Sequence, residues 1–307
     1  MAILQILEYL NDGYDWIVDI DLERFFDTVN HDRLMKLISQ TVSDGDVISL
    51  IRKFLVSGIQ INDEYKASVI GTPQGGNLSP LLSNIMLNEL DKELEHRGLR
   101  FVRYADDCII MVKSDMAARR VMRSVTTFIE DRLGLVVNAT KSKVTRPYDP
   151  EMKFLGFGFY KDYQTKQYKA KPHKKSVENF KFKLKQLTRK NWSVDTGHQV
   201  ERINQVIRGW VNYFKIGSMK DALSKIDAHT RARLRMCIWQ KWKTARNRRK
   251  NLIKLGMNKF NAYKYSHTSK GTVRIAYSWI LTTTITNKRL TQFGLISCVD
   301  QYNKVHV

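Results

Sequence analysis

Apolar positions along the first half of the chain follow two rhythms. Trp16-Ile17-Val18-Asp19-Ile20-Asp21 is a short apolar run closing on carboxylates, and it predicts a buried strand. Asn30 then stands where an N-cap belongs, ahead of Leu34, Leu37 and Ile38 on one helical face. Asp46 to Leu55 predicts another helix, with Val47, Leu50, Ile51 and Phe54 at helical spacing. A glycine-rich stretch, Gly71-Thr72-Pro73-Gln74-Gly75-Gly76-Asn77, leads into a third. There Ser79 suits the cap, Pro80 the first helical position and Gly98 the place just past the end. Phe101 to Val112 reads as two short strands flanking Ala105-Asp106-Asp107, a β-hairpin with acids at its tip. A helix over 115–133 follows, stopped by Gly134, and then strands near 135–138 and 154–160. That order predicts an α+β domain of mixed sheet and helices.

Beyond about residue 170 the rhythm becomes helical throughout. Segments near 174–190, 197–215 and 219–243 gather apolar and aromatic residues on one face (Phe180, Leu184, Leu187; Ile203, Val206, Trp210, Phe214) and Lys/Arg elsewhere. An all-α module is expected there. Lys241 to Lys250 holds six basic residues in ten and opens a small basic C-terminal region. We find no internal repeat and no low-complexity linker.

Charge sharpens this division. Of the 307 residues, 52 are Lys or Arg and 30 Asp or Glu, a net of +22. Residues 1–150 carry 18 basic and 22 acidic side chains, whereas residues 151–307 carry 34 and 8. An acidic half thus precedes a basic one, and a basic domain of this size is the footprint of a polyanion binder, most often nucleic acid. The apolar share of 43% excludes wholesale disorder. No run approaches the ~20 apolar residues of a spanning helix, and the start lacks a signal-peptide pattern. Cys108, Cys237 and Cys298 are too scattered for a disulfide framework or a zinc knuckle. The expectation is a cytoplasmic protein without a membrane partner.

Asp21 at a strand end and Asp106-Asp107 at a hairpin tip would repel if brought together. At ~4 Å, two unit charges cost roughly 4 kcal/mol at an effective dielectric near 20. A divalent cation removes that cost, and oxygen-only ligands suit Mg²⁺ rather than zinc. An Asp-Asp pair in a turn is by itself usually turn chemistry, so the surrounding sequence must decide.

It does. Phe101-Val102-Arg103-Tyr104-Ala105-Asp106-Asp107 resembles the signature of reverse transcriptases, in particular those encoded by group II introns. Asp19-Ile20-Asp21-Leu22-Glu23-Arg24-Phe25-Phe26-Asp27 is similar to their first catalytic motif, and Gly71 to Asn84 to their proline-glutamine-glycine motif. Gly134-Leu135-Val136-Val137-Asn138 with Lys141, then Lys153-Phe154-Leu155-Gly156-Phe157, are similar to the next two blocks. Arg208-Gly209-Trp210-Val211-Asn212-Tyr213-Phe214 resembles the maturase-specific thumb motif. Six blocks stand in the family's order over roughly residues 15–215.

The resemblance implies a right-hand polymerase palm of mixed or antiparallel sheet plus helices over 1–168, an all-α thumb or maturase domain over 169–243, and a small basic nucleic-acid-binding region over 244–307. It implies Asp21, Asp106 and Asp107 as catalytic ligands of two Mg²⁺ ions, with Asp19 the runner-up for Asp21. Phe26 would be the gate against a ribose 2′-hydroxyl, and Gln74 and Gly75 would line the nucleotide. Tyr104, Lys141, Lys241, Arg246, Arg248 and Arg249 would meet primer or template, though Lys141 equally suits a solvated face. Trp210 and Phe214 fit core packing better than stacking platforms. Implied partners are intron RNA, an RNA template with DNA primer, a DNA target and deoxynucleoside triphosphates; nothing indicates a homodimer. The setting would be bacterial, with the protein on the nucleoid when bound. Relatives carry a fingers region ahead of the first motif, whereas Asp21 lies some twenty residues from Met1, so a chain without fingers is expected. RNA-directed DNA synthesis with a splicing role is thus the reading. The alternatives are an idle chain that only binds intron RNA, and a bacterial defence reverse transcriptase.

Overall fold

A computed structural model describes residues 2–57, 59–61, 64–66, 70–72, 76–192 and 194–306. The chain divides into two units, Met1–Phe154 with Phe159–Lys169, and Leu155–Gly158 with Ala170–Val307.

In the first unit, α1 (Ala2–Asn11) turns Ile3, Ile6 and Leu10 inward and leads to β1 (Trp16–Ile20). Three helices follow, α2 (Phe25–Thr28), α3 (His31–Ser39) and α4 (Gly45–Val56). Next come the paired β2 (Ile59–Ile61) and β3 (Glu64–Lys66), then α5 (Ser79–His96). The hairpin of β4 (Arg100–Tyr104) and β5 (Asp107–Val112), α6 (Asp115–Thr127) and β6 (Lys143–Thr145) complete the unit's framework.

Strands β4, β5, β1 and β6, in that order, form one antiparallel sheet. Because side chains alternate across a strand, its two faces differ. Val18, Ile20, Cys108, Ile110 and Val112 join one apolar core with Leu34 and Ile38 of α3, Met86 and Leu90 of α5, and Val121 and Val125 of α6. The opposite positions hold Asp19, which pairs with Ile109 on one side and Lys143 on the other. Helix-covered apolar residues therefore fix the register, and a one-residue slip would drive Asp19 into that core.

Several elements depart from the sequence reading. Asn30 does cap α3, its Oδ1 accepting from the Arg33 N–H at 3.0 Å. Ser79, however, is the first residue of α5; the cap is Leu78, which makes no side-chain cap bond. On α4, Val47 and Leu50 stay 41% and 63% exposed, so helical spacing located a stripe without saying what covers it. The helix over 115–133 ends in a π-helical turn, Phe128–Leu133, before Gly134 stops it in the left-handed region (φ 66°). The strand expected at 135–138 is reduced to one bridge, Leu22 to Val137, and the outer strand is β6. Asn138 explains the break: its Oδ1 accepts from the Thr140 and Lys141 N–H groups, folding the chain into a turn there.

A hairpin, β7 (Phe157–Lys161) and β8 (Tyr168–Pro172), carries the chain into the second unit. That unit is helical: α7 (Lys174–Leu187), α8 (Thr196–Tyr213) and α9 (Lys220–Lys241), then the shorter α10 (Ala245–Lys254) and α11 (Lys259–Ser266). Helices α12 (Thr272–Ala276), α13 (Trp279–Thr284), α14 (Asn287–Gln292) and α15 (Cys298–Val305) follow. Phe180, Ile203, Ile207, Val211, Leu223 and Trp239 are buried in it. Trp210 stacks on Phe180 with ring centroids 4.4 Å apart and Phe214 is buried, so both aromatics serve packing, as their spacing predicts. Asp227, itself buried, starts α15 by accepting from Ser297 Oγ (2.7 Å) and the Cys298 N–H (2.8 Å). Among the described residues no helix is long and apolar enough to cross a membrane, and all three cysteines are free and buried.

Candidate active site

The carboxylates gather at one end of the sheet. Pairing of Ile20 with Cys108 and of Tyr104 with Asp107 places Asp21, the residue after β1, beside Asp107, the first residue of β5. Asp19 lies two residues back on the same face. Asp106 occupies the two-residue turn between Tyr104 and Asp107, where Ala105 takes a left-handed φ of 55°. For a residue with a Cβ that conformation costs roughly 1–2 kcal/mol. Arg103 holds the turn: its Nη1 donates to the Ala105 carbonyl (2.8 Å) and to Asn84 Oδ1 (3.0 Å). Its Nε and Nη2 meet the two oxygens of Asp91 on α5. Both partners of that fork are largely buried, at 12% and 20% exposure, so the hairpin tip is tied to a core helix.

Asp21 is fixed through its backbone. Its N–H donates to Ser142 Oγ (3.0 Å), and its carbonyl accepts from the Ser142 hydroxyl (3.3 Å) and the Asn138 N–H (2.8 Å). Its Oδ1 is buried without a hydrogen-bond partner, and Lys141 Nζ stands 3.4 Å away. Arg103 and Ser142 are the positioning residues that sequence reading missed. Arg103 lies inside the quoted signature, but its partner Asp91 is twelve residues away on another element, and no spacing rule links them.

Charge is strained here. Burial pushes the Asp19 carboxyl up to about 6, against Lys143, while Asp107 and Asp21 add to the rise. Asp107 is also raised, first by partial withdrawal from solvent, then by Asp106 and Asp21. Acids that push up the Asp19 and Asp107 carboxyls, beside an Asp21 oxygen met only by the Lys141 ammonium, are oxygen donors of the kind a hard divalent cation takes. Among the described residues no three His, Cys, Asp or Glu side chains converge as a metal-holding group; Lys141, Lys143 and Lys153 are the cations that act on these acids.

Phe26 sits in α2, half-buried against the core with its ring 5.4 Å from that of Phe25. Its carbonyl accepts from the Thr72 N–H (2.6 Å), and the Gly71 N–H donates to the Val29 carbonyl (2.8 Å). The glycine-rich stretch is thereby latched to α2 at its start. Gly71 has φ 90°, and a Cβ there would lie 2.8 Å from the carbonyl oxygens of Phe26 and Asp27. Gln74 and Gly75 lie outside the described residues. Tyr104, across from Asp107, is 61% exposed.

The basic candidates of the second unit are not alike. Lys241 is turned inward, its Nζ donating to Thr196 Oγ1 (2.9 Å) and Gln199 Oε1 (3.3 Å). Arg248 lies 4.6 Å over the Trp239 ring and Arg249 5.9 Å from that of Tyr263. Arg246 and Arg249 are exposed. A charge run is therefore part structure and part free surface.

Comparison with known proteins now fixes the class. Residues 4–159, about half the chain, match the reverse transcriptase (RNA-dependent DNA polymerase) family, and the chain belongs to it. Residues 177–256 match the maturase-specific domain of group II introns, which makes it a reverse transcriptase/maturase of the group II intron kind. It is 35% identical over 143 residues to the group II intron-encoded protein LtrA of Lactococcus lactis subsp. cremoris, covering 47% of this chain and 23% of that one. Identity to protein YkfC of Escherichia coli (strain K12) is 32% over 175 residues, covering 46% of each. The matches thus span about a quarter to a half of these relatives' length. Apo telomerase from Candida Tropicalis aligns over 98% of this chain and 56% of that one, at 13% identity and a TM-score of 0.46.

Proposed function

We propose that this chain copies RNA into DNA, adding deoxynucleotides to a primer 3′-hydroxyl, and that its basic helical unit grips RNA. The observation that carries the reading is the juxtaposition of Asp21 and Asp107, flanked by Asp19 and Asp106, at the sheet end. In the reaction the primer 3′-oxygen bonds to the α-phosphorus of the incoming nucleotide. The bond to the β-phosphate's bridging oxygen breaks, pyrophosphate leaves, and the hydroxyl proton passes to water. Two Mg²⁺ ions, bound by Asp21, Asp106 and Asp107, would supply charge neutralisation for the attacking and leaving oxygens.

What the chain itself contributes is positioning. Arg103 and Ser142 hold the hairpin tip and the Asp21 backbone. Phe26 stands five residues after Asp21, suited to exclude a ribose 2′-hydroxyl, with Gln74 and Gly75 on the nucleotide side. Exposed Tyr104 suits contact with the primer end. Lys141 stands against Asp21, at the rim where an anionic substrate would be held. In the helical unit, exposed Arg246 and Arg249 suit the phosphates of template–primer, intron RNA or DNA target.

One observation favours the idle, purely RNA-binding reading: Asp21 is paired with Lys141, a cation in the place a metal would take. The maturase-domain match speaks for an intron partner over a defence enzyme. Primer extension on an RNA template, with and without Mg²⁺, separates the readings. Mg²⁺-dependent extension is expected; RNA binding without extension would establish the idle one.

A further inference from the structure

Within the helical unit, the end of α9, the end of α10 and the segment from α13 to α14 enclose a pocket of about 270 Å³. Ile238, Leu255, Ile285 and Leu290 give it apolar walls, and Trp242 and Phe293 complete the lining with aromatic rings. Pockets that hold whole small-molecule ligands run from about 300 to 1,000 Å³, so this one suits a single flat ring system. Ile285 and Leu290 are buried, whereas Phe293 keeps 55% of its surface exposed at the rim.

The polar part of the lining is one-sided. It contains Lys254 and Arg289, with Asn251 and Thr196, and no acidic side chain. Arg289 is fixed in place, its Nη1 donating to the carbonyls of Leu255 (2.6 Å) and Thr284. Outside the pocket, α10 adds exposed Arg246, Arg249 and Lys250. An apolar aromatic slot bordered by cations is complementary to a flat ring carried on a polyanion.

We propose that this pocket receives one unpaired nucleobase, extruded from a bulge or loop of bound RNA and stacked on Trp242 and Phe293. Cations of α10 hold the flanking phosphates, and Arg289 donates to the base edge. Unstacked bases are the part of an RNA that aromatic side chains can grip, since paired bases are hidden in the helix. The proposal rests on the reading that the helical unit binds RNA.

The test uses the full chain and two RNA hairpins that differ at one bulged position, aminopurine in one and an abasic site in the other. Wild type should bind the aminopurine hairpin roughly tenfold tighter than the abasic one, the scale of one stacked base. Its fluorescence should be quenched on binding. Phe293→Ala, at a position 55% exposed, should abolish preference and quenching, so that it binds the two hairpins alike. Equal affinities in wild type, or preference retained in both Phe293→Ala and Trp242→Ala, would overturn the proposal and leave RNA binding standing. Quenching of free aminopurine riboside without preference between the hairpins would also overturn it, assigning the pocket to a small molecule. Failure of wild type to bind either hairpin would remove the RNA-binding reading together with it.

Discussion

The two units put their acids to opposite uses. In the sheet unit, Asp19, Asp21, Asp106 and Asp107 share one rim, where burial and neighbouring acids push the Asp19 and Asp107 carboxyls up. In the helical unit acids are few, and Asp195 and Asp227 are bound to the starts of α8 and α15, accepting from backbone N–H groups. One unit gathers acids at a point. The other uses its acids to hold helices and keeps cations such as Arg246, Arg249 and Lys250 exposed. A polymerase needs both, a site for metal and a grip for phosphate, and placing them in separate units lets each charge serve without neutralising the other.

Breaking the acidic site should have the largest effect. Asp106→Ala/Asp107→Ala should lower primer extension by roughly 10³-fold or more, the scale of losing a catalytic group, while RNA affinity measured by filter binding stays put. Arg103→Met should come next, because it strands Asp91 in a largely buried place. A loss of about 3 kcal/mol in urea unfolding is expected, with extension falling in parallel. Arg103→Met/Asp91→Leu should recover stability but not activity, since the Ala105 carbonyl stays unheld.

Asp227→Ala carries the comparison to the helical unit. Losing buried bonds from Ser297 and Cys298 should cost about 2 kcal/mol and weaken RNA binding rather than alter the Mg²⁺ requirement of extension. Smallest is Gly71→Ala, which forces a Cβ against two carbonyls from a left-handed φ. It should cost about 1–2 kcal/mol in thermal unfolding. If Phe26 is the gate, it should also loosen discrimination between deoxy- and ribonucleotides, read as misincorporation.

Much of the acidic site was legible because it is local. The run ending at Asp21, the hairpin around Asp106 and the Asn30 cap each depend on neighbours within a few residues. What stayed hidden is what binds across the chain: Arg103 to Asp91, and Ser142 to the Asp21 backbone. The strand expected at 135–138 failed for a local reason, as Asn138 offered the following amides a turn. Periodicity marked Val47 and Leu50 as a face but could not say whether anything packs on it. Lys241 shows the matching gap in the basic half, since a charge run does not reveal which of its members points inward.

The most direct test of this division of labour is RNA affinity as a function of salt, measured for wild type and Asp106→Ala/Asp107→Ala beside their Mg²⁺-dependent primer extension. Phosphate-dominated binding gives a straight line of log affinity against log salt. The account predicts superimposed lines for the two proteins and extension in wild type alone. A variant whose line shifts or changes slope, or which still extends the primer, would contradict it.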